Sequence, residues 1–257
     1  MPFVSQRVGL WRPLNVSRSR FRDLTEGTSY FSTFTCVCSG CGMVFAKHRF
    51  SDVEMALLYN DYRGVEYCEQ RIAVEPSYKS VDMYLSMAVP HIADIEENIV
   101  KFLGHSDINL LDWGGGEGLN TPCKSYANNI CIFDISKENH FSILKGLETS
   151  DFNVIICMHV LEHVSFPSLT LEGMLKYSRK GTLVYLEVPL EAGINAKLGG
   201  LSKEVERLHW HEHINCFSLR PLMLLMEKQG VKVVYSHVID LSDGFRDFKA
   251  VGVYGFV

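Results

Sequence analysis

The chain has 257 residues, 47 % of them hydrophobic and 21 % charged, enough for one large domain or for one domain with a small appendage. A formal net charge of −5 argues against broad electrostatic capture of nucleic acid or of an anionic membrane. No apolar run approaches the roughly 20 residues that a membrane-spanning helix needs. The opening stretch, MPFVSQRVGLWRPLN, carries arginines but no apolar export segment. Five of the eight cysteines lie singly, and Cys36, Cys38 and Cys41 form a cluster. That usage predicts reduced thiols in a cytosolic protein.

In chain order, SYFSTFTCV and MVFA read as two short strands around the turn CSGCG. SDVEMALLYNDYRG follows as a helix, with Ser51 or Asp52 as its cap. VDMYLSMAVPHIADIEENIVKFLG is the longest helical pattern, broken near Pro90 and stopped at Gly104. A soft boundary near residue 85 divides a small N-terminal unit (1–85) from the main domain (86–257). From Asn109 onward strands alternate with helices. INLLDW, NICIFDIS and FNVIICMHV are strands; SLTLEGMLKYSRKG is a helix ended by Gly181 and followed by the strand TLVYLEVP. FSLRPLMLLMEKQG has full helix punctuation, with Ser218 as cap, Pro221 in the first turn and Gly230 past the end. VKVVYSHVI and KAVGVYGFV close the chain as a strand pair. The alternation predicts an α/β fold, a mostly parallel sheet with helices on both faces.

The densest signal is NLLDWGGGEGLN. Gly114, Gly115, Gly116 and Gly118 follow an apolar strand and are expected to turn the chain into a helix. Bare backbone there admits a ligand closely at the carboxyl edge of the sheet. The dinucleotide pattern G-x-G-x-x-G fails, because its third glycine falls at Leu119. The phosphate loop fails too, since no Lys-Ser or Lys-Thr follows.

Leu110, Leu111 and Asp112, with Gly114, Gly116 and Gly118 at alternate positions, resemble the first motif of the class I S-adenosylmethionine-dependent methyltransferases. IFDIS supplies the acid expected after the second strand, Asp134, and FNVIICMHVLEHV and GTLVYLEVP match the fourth and fifth strands. The resemblance spans roughly residues 86–257. It implies a Rossmann-like fold with seven strands, the last antiparallel, and adenosylmethionine as the methyl donor. Asp134 would hold the ribose hydroxyls, since a carboxylate accepts from two donors; a helix-capping aspartate is the other reading. Asp112 would order the glycine loop or receive the methionine ammonium. His159, at the strand tip, reads either as a core histidine or as a cofactor contact. Between Asp134 and Phe152 the chain is short for the family's helix and third strand, so that helix is expected to be truncated. Glu148 or Asp151 would lie near the adenine.

Two histidine clusters fall where an acceptor would sit. HVLEHV carries His159, Glu162 and His163; LHWHEHINCFS carries His209, His211, Glu212 and His213. With LEVP and the helix after them, they resemble a branch of small-molecule and sugar methyltransferases. That resemblance makes His163, His211 and His213 the candidate base and acceptor contacts, supported by Glu187. Hydroxyl acceptors need such a base. No metal is assigned to either cluster. Cys38-x-x-Cys41-Gly42 resembles half of the zinc-binding knuckle attached to some sugar C-methyltransferases. A tetrahedral site needs four ligands, and residues 1–35 hold no cysteine. A knuckle without metal is therefore the reading adopted; Cys36 with His48 or Cys68 is the alternative ligand set. Tyr59, Tyr62 and Tyr67 would line a cleft or seal a seam between the two parts. The implied activity is methyl transfer to a sugar or nucleotide-sugar in carbohydrate biosynthesis. The rival is a non-catalytic partner protein that keeps the fold.

Overall fold

The computed structural model describes residues 3–5, 14–16, 27–29, 35–47, 49, 51, 64–74, 79, 89–136, 152–190, 213–241 and 248–257. The N-terminal elements are β1 (Phe3–Ser5), β2 (Leu14–Val16), β3 (Gly27–Ser29), β4 (Thr35–Val37), β5 (Val44–Ala46) and α1 (Val65–Val74). The chain continues with α2 (Ile92–Leu103), β6 (Asn109–Trp113), β7 (Asn129–Phe133), β8 (Val154–Met158), α3 (Pro167–Leu175) and β9 (Leu183–Pro189). It closes with β10 (Asn215–Cys216), α4 (Leu219–Lys228), β11 (Lys232–Asp240) and β12 (Lys249–Phe256).

Six strands form the main sheet in the order β11-β12-β9-β8-β6-β7. β7, β6, β8 and β9 run parallel to one another, and β12 runs antiparallel to both β9 and β11. This is the α/β architecture the sequence predicts, with six strands among the described residues. Residues 137–151, where a third strand with Glu148 and Asp151 is expected, lie outside them.

Strand alternation divides the core. Val154, Ile156, Leu183 and Tyr185 face Ile95 and Ile99 of α2, while Ile155, Cys157, Val184, Leu186 and Val188 face Leu171 and Met174 of α3 and Leu222 and Met226 of α4. Both faces are covered, as the apolar runs of β8 and β9 require. The same alternation carries Glu187 onto the α2 side.

Most punctuation holds. Pro90 lies in the turn before α2, and Gly104 closes α2 in a left-handed conformation (φ 74°), its N–H donating to Val100 O at 2.9 Å. Gly230 does the same after α4 (φ 81°). Ser218 stands at the N-cap of α4, but its hydroxyl makes no capping bond. α3 ends at Leu175, before Gly181, where the backbone tightens into three-residue turns: Tyr177 N–H donates to Met174 O and Ser178 N–H to Leu175 O, each at 3.1 Å. The SDVEMALLYNDYRG helix, with Tyr59 and Tyr62, lies outside the described residues; Tyr67 is buried.

The helix expected after the glycines is absent. Residues 119–127 form turns, and β7 begins at Asn129. Pro122 removes a backbone donor, and Cys123 takes a left-handed conformation (φ 63°) that breaks a helical run. The turns are tied to α2 and to the segment just before it instead: Asn120 Oδ1 accepts from Val89 N–H at 3.0 Å, and Glu96 Oε1 from Cys123 N–H at 2.6 Å.

A second, antiparallel sheet has the order β1-β4-β5-β10. Asn215 and Cys216 of β10 pair with Phe45 and Val44 of the N-terminal hairpin. Asn215 also clamps the turn after β8. Its backbone N–H donates to Glu162 O (3.0 Å), and its side-chain amide to Leu161 O (3.0 Å) and Val164 O (2.7 Å). Replacing Asn215 with Ala strands both carbonyls. Urea unfolding should register a loss of about 2 kcal/mol, whereas a change under about 0.5 kcal/mol would mean water takes over the amide's role.

Candidate active site

Four strand tips meet at the carboxyl edge of the sheet: those of β6, β7, β8 and β9. At the first, Gly114, Gly116 and Gly118 all have positive φ (83°, 56° and 76°). A Cβ on Gly114 would stand 2.2 Å from Val160 Cγ2, one on Gly115 2.3 Å from Asp112 Oδ2, and one on Gly118 2.5 Å from Ile132 Cδ1. Gly116 differs. A Cβ there meets only Asp134 Oδ2, at 3.9 Å. The loop is thus packed tight on its protein side and open at Gly116.

At the tip of β7, Asp134 Oδ2 accepts from Gly116 N–H at 2.8 Å, and Oδ1 accepts from the Ser136 N–H (2.9 Å) and hydroxyl (2.6 Å). Beneath the loop Asp112 is almost fully buried and accepts from the Thr121 hydroxyl at 2.5 Å. Burial pushes its carboxyl up to about 6, against the opposing pull of Thr121.

At the tips of β8 and β9 lies a buried polar cluster. Glu187, wholly inaccessible, is paired in register with Met158. It accepts from His91 Nε2 (3.0 and 2.9 Å), from His159 Nε2 (2.9 Å) and from the Tyr185 hydroxyl. Burial alone would raise the Glu187 carboxyl; hydrogen bonds from His159 and His91 outweigh it and hold the group far below the usual carboxylate range. His159 has a left-handed backbone (φ 55°), and its N–H donates to Glu187 O at 2.9 Å. Burial disfavours its charge, but Glu162 and Glu187 flank both ring nitrogens and lift its pKa to about 10. His159 is therefore an imidazolium near neutrality, held by its ring on two carboxylates.

Glu162 links this cluster to a second one. It is 2 % exposed, and its Oε1 stands 3.7 Å from His159 Nδ1 and 3.5 Å from His163 Nε2. The rings of His163 and His213 meet edge to face at 4.8 Å between centroids. Burial would raise the Glu162 carboxyl, and the nearby His163, His159 and His213 lower it.

The structure thus gathers Asp112, Gly114, Gly116, Gly118 and Asp134 around one loop, places His159 at the neighbouring tip, and brings His163 to His213. His211 lies outside the described residues. Glu187 anchors His159 rather than lying free. Three partners escaped the sequence reading. Tyr185 shares a strand face with Glu187, a signal that simple alternation carries. His91 and Thr121 bear no such mark, since only the tertiary fold brings them to their acids. In the N-terminal turn, backbone N–H groups of Cys41 and Gly40 depress the Cys38 thiol, while burial raises that of Cys41. Among the described residues neither joins a group of three metal-ligating side chains.

Residues 90–236 match the family model described as a methyltransferase domain. The chain belongs to this family and is an S-adenosylmethionine-dependent methyltransferase. Among similar solved structures is the 1,6-didemethyltoxoflavin-N1-methyltransferase of Burkholderia thailandensis, with bound 1,6-didemethyltoxoflavin and S-adenosylhomocysteine. It is 12 % identical, with a TM-score of 0.53 over 85 % of this chain and 97 % of that one. An adenosylmethionine-dependent methyltransferase from Aquifex aeolicus is 13 % identical, with a TM-score of 0.41 over 67 % of this chain and all of that one. The magnesium protoporphyrin IX methyltransferase of Synechocystis, with bound S-adenosylhomocysteine, is 14 % identical, with a TM-score of 0.44 over 64 % and 81 %. At these identities the likeness speaks to the fold alone. No curated protein matches the sequence significantly.

Replacing Glu187 with Gln removes the charge that holds His159 protonated. The imidazole titration followed by NMR should fall from about 10 toward the ordinary value of 6.5. An unmoved titration would mean that Glu162 alone sets it.

Proposed function

We propose that the chain methylates a small hydroxylated acceptor, a sugar or nucleotide-sugar, with the donor seated across Gly116 and Asp134. One observation carries the placement: the loop is closed to side chains at Gly114, Gly115 and Gly118 and open at Gly116, beside a carboxylate. Adenosylmethionine bears no phosphate, so it needs close main-chain contact rather than an anion nest. The hollow and the acid fit that requirement. Asp134 would accept the ribose hydroxyls on the lone pairs its backbone bonds leave. Asp112, beneath the loop, would attract the ammonium of the methionine portion. His159 would wall the cofactor side with its ring, since its nitrogens are engaged.

When bound, the sulfonium supplies a methyl carbon open to in-line displacement. The residues of this chain then have to align the acceptor and take its proton. We assign the proton to the imidazoles of His163 and His213, backed by Glu162, with His211 as a further contact. His159, charged near neutrality, is a poor proton acceptor by comparison. The division near residue 85 and a knuckle without metal remain part of this reading. In support, the N-terminal hairpin pairs with β10, directly after His213, and so borders the acceptor side. A cytosolic setting is supported by the cysteine usage, with Cys36, Cys123, Cys157 and Cys216 buried inside the fold. Among the described residues no helix is long and apolar enough to cross a membrane.

Calorimetry with S-adenosylhomocysteine tests the donor site. Asp134→Ala should weaken binding at least about tenfold, or about 1.4 kcal/mol; unchanged affinity would remove the ribose contact. The affinity should also depend on pH through Asp112. Only the ionised carboxylate attracts an ammonium, so binding should be level at pH 7–8 and weaken as pH drops through about 6. Asp112→Asn should abolish that dependence. Without ligand the same shift acts on stability with opposite consequence. The folded pKa lies above the ordinary carboxyl value of 3.8, so burying the charge lowers stability as pH rises from 3.8 to about 6. A panel of sugar nucleotides, read by release of S-adenosylhomocysteine, tests the acceptor class; turnover confined to amines would overturn it.

A further inference from the structure

We propose that Glu162, His163 and His213 form a site for one divalent transition-metal cation of the zinc type. Each offers a single donor atom, and the three donor atoms lie within 4.8 Å of one another. Two imidazoles and a carboxylate suit zinc, cobalt(II), nickel(II) or iron(II), and suit magnesium or calcium poorly.

Two further observations point to a ligand. The carboxylate of Glu162 is buried, and neither oxygen has a hydrogen-bond partner among the described residues. Its nearest nitrogens, on His163 and His159, stand at 3.5 and 3.7 Å, beyond hydrogen-bond reach. A buried carboxylate normally accepts several hydrogen bonds or binds a metal. Glu187, on the other side of the His159 ring, shows the first solution; Glu162 lacks it. Second, the frame is rigid. Glu162 and His163 sit in the turn that Asn215 clamps through three hydrogen bonds, and His213 lies two residues before that clamp on the same strand approach. β10 is itself paired to β5. Zinc bonds near 2.0–2.1 Å place tetrahedral ligands about 3.4 Å apart, so donors now within 4.8 Å of one another must draw in by at most about 1.4 Å on binding.

Three protein ligands leave at least one position for water. Coordination takes up imidazole lone pairs, so the two histidines cannot accept a proton while the cation is bound. A zinc-type cation would thus inhibit a transfer that uses them as base. The metal site itself does not depend on the donor or acceptor reading.

The test uses the full chain after chelation and gel filtration, titrated with cobalt(II). A visible d–d band of tetrahedral intensity should saturate at about one equivalent and be displaced by zinc. Glu162→Gln and His213→Ala should each weaken cobalt binding at least about tenfold, while the Cys38→Ser/Cys41→Ser double variant should bind as before. Zinc added to the unaltered chain should shift the NMR signals of His163 and His213, a readout that needs no variant. Two results overturn the proposal: no band and no zinc retained in equilibrium dialysis at about 0.1 mM, or binding that survives Glu162→Gln and vanishes with the cysteines. S-adenosylhomocysteine binding, measured on the same samples, fails or succeeds independently and reports on the donor site alone.

Discussion

The carboxylate of Glu187 is the interaction on which the geometry of the site rests. A fully buried negative charge costs several kcal/mol in lost hydration unless donors replace the water. Here His91, His159 and Tyr185 replace it. These three come from the turn before α2, from the tip of β8 and from β9 itself. Their hydrogen bonds therefore fix the start of one helix and the end of one strand relative to the centre of the sheet. The left-handed backbone of His159 follows from this. Such a conformation costs about 1–3 kcal/mol for a residue with a side chain, and it persists because the ring and the backbone N–H are both bonded to Glu187.

That strained residue sets the next contact. After His159 the chain turns so that Val160 lies against the glycine loop, where only the missing Cβ of Gly114 gives it room. The loop is pressed from one side by Val160 and from below by Asp112, and its open face is left at Gly116. The turns that replace the expected helix belong to the same arrangement. They are bonded to Val89 and Glu96, so α2 holds the far end of the loop while His91 holds the strand tips. One helix thus braces both walls of the hollow.

Much of this was legible in the sequence where local physics decides. Apolar runs marked β8 and β9, glycines with positive φ marked the loop, and Pro90, Gly104 and Gly230 marked real helix ends. Legibility fell where distant partners compete with local preference. Ser218 looks like a cap but makes no capping bond, and α3 stops at Leu175, where the backbone tightens into three-residue turns. The turns at residues 119–127 replace a helix because they find partners on α2 and just before it. His91 meets Glu187 across 96 residues, and no period links them. His163 and His213 stand in separate sequence motifs, while their meeting across Glu162 depends on Asn215, a residue that carries no sign of its role as a clamp.

The two buried glutamates divide the work of His159 unequally, and the distances say how. Its Nε2 lies 2.9 Å from Glu187 and its Nδ1 3.7 Å from Glu162. The first is a hydrogen bond and the second a longer Coulombic contact. Glu187 is saturated by three donors, so it can hold geometry but has little capacity left for another group. Among the described residues the Glu162 oxygens accept no hydrogen bond, and they turn toward the imidazoles of His163 and His213. The chain of alternating acids and histidines therefore changes character along its length, from a fixed anchor under α2 to an under-coordinated end beside β10. That end is also where the N-terminal hairpin pairs with β10 through Phe45 and Val44. A displacement of β10 would move His213 and the Asn215 clamp together, so the appended strands bear directly on the geometry of Glu162.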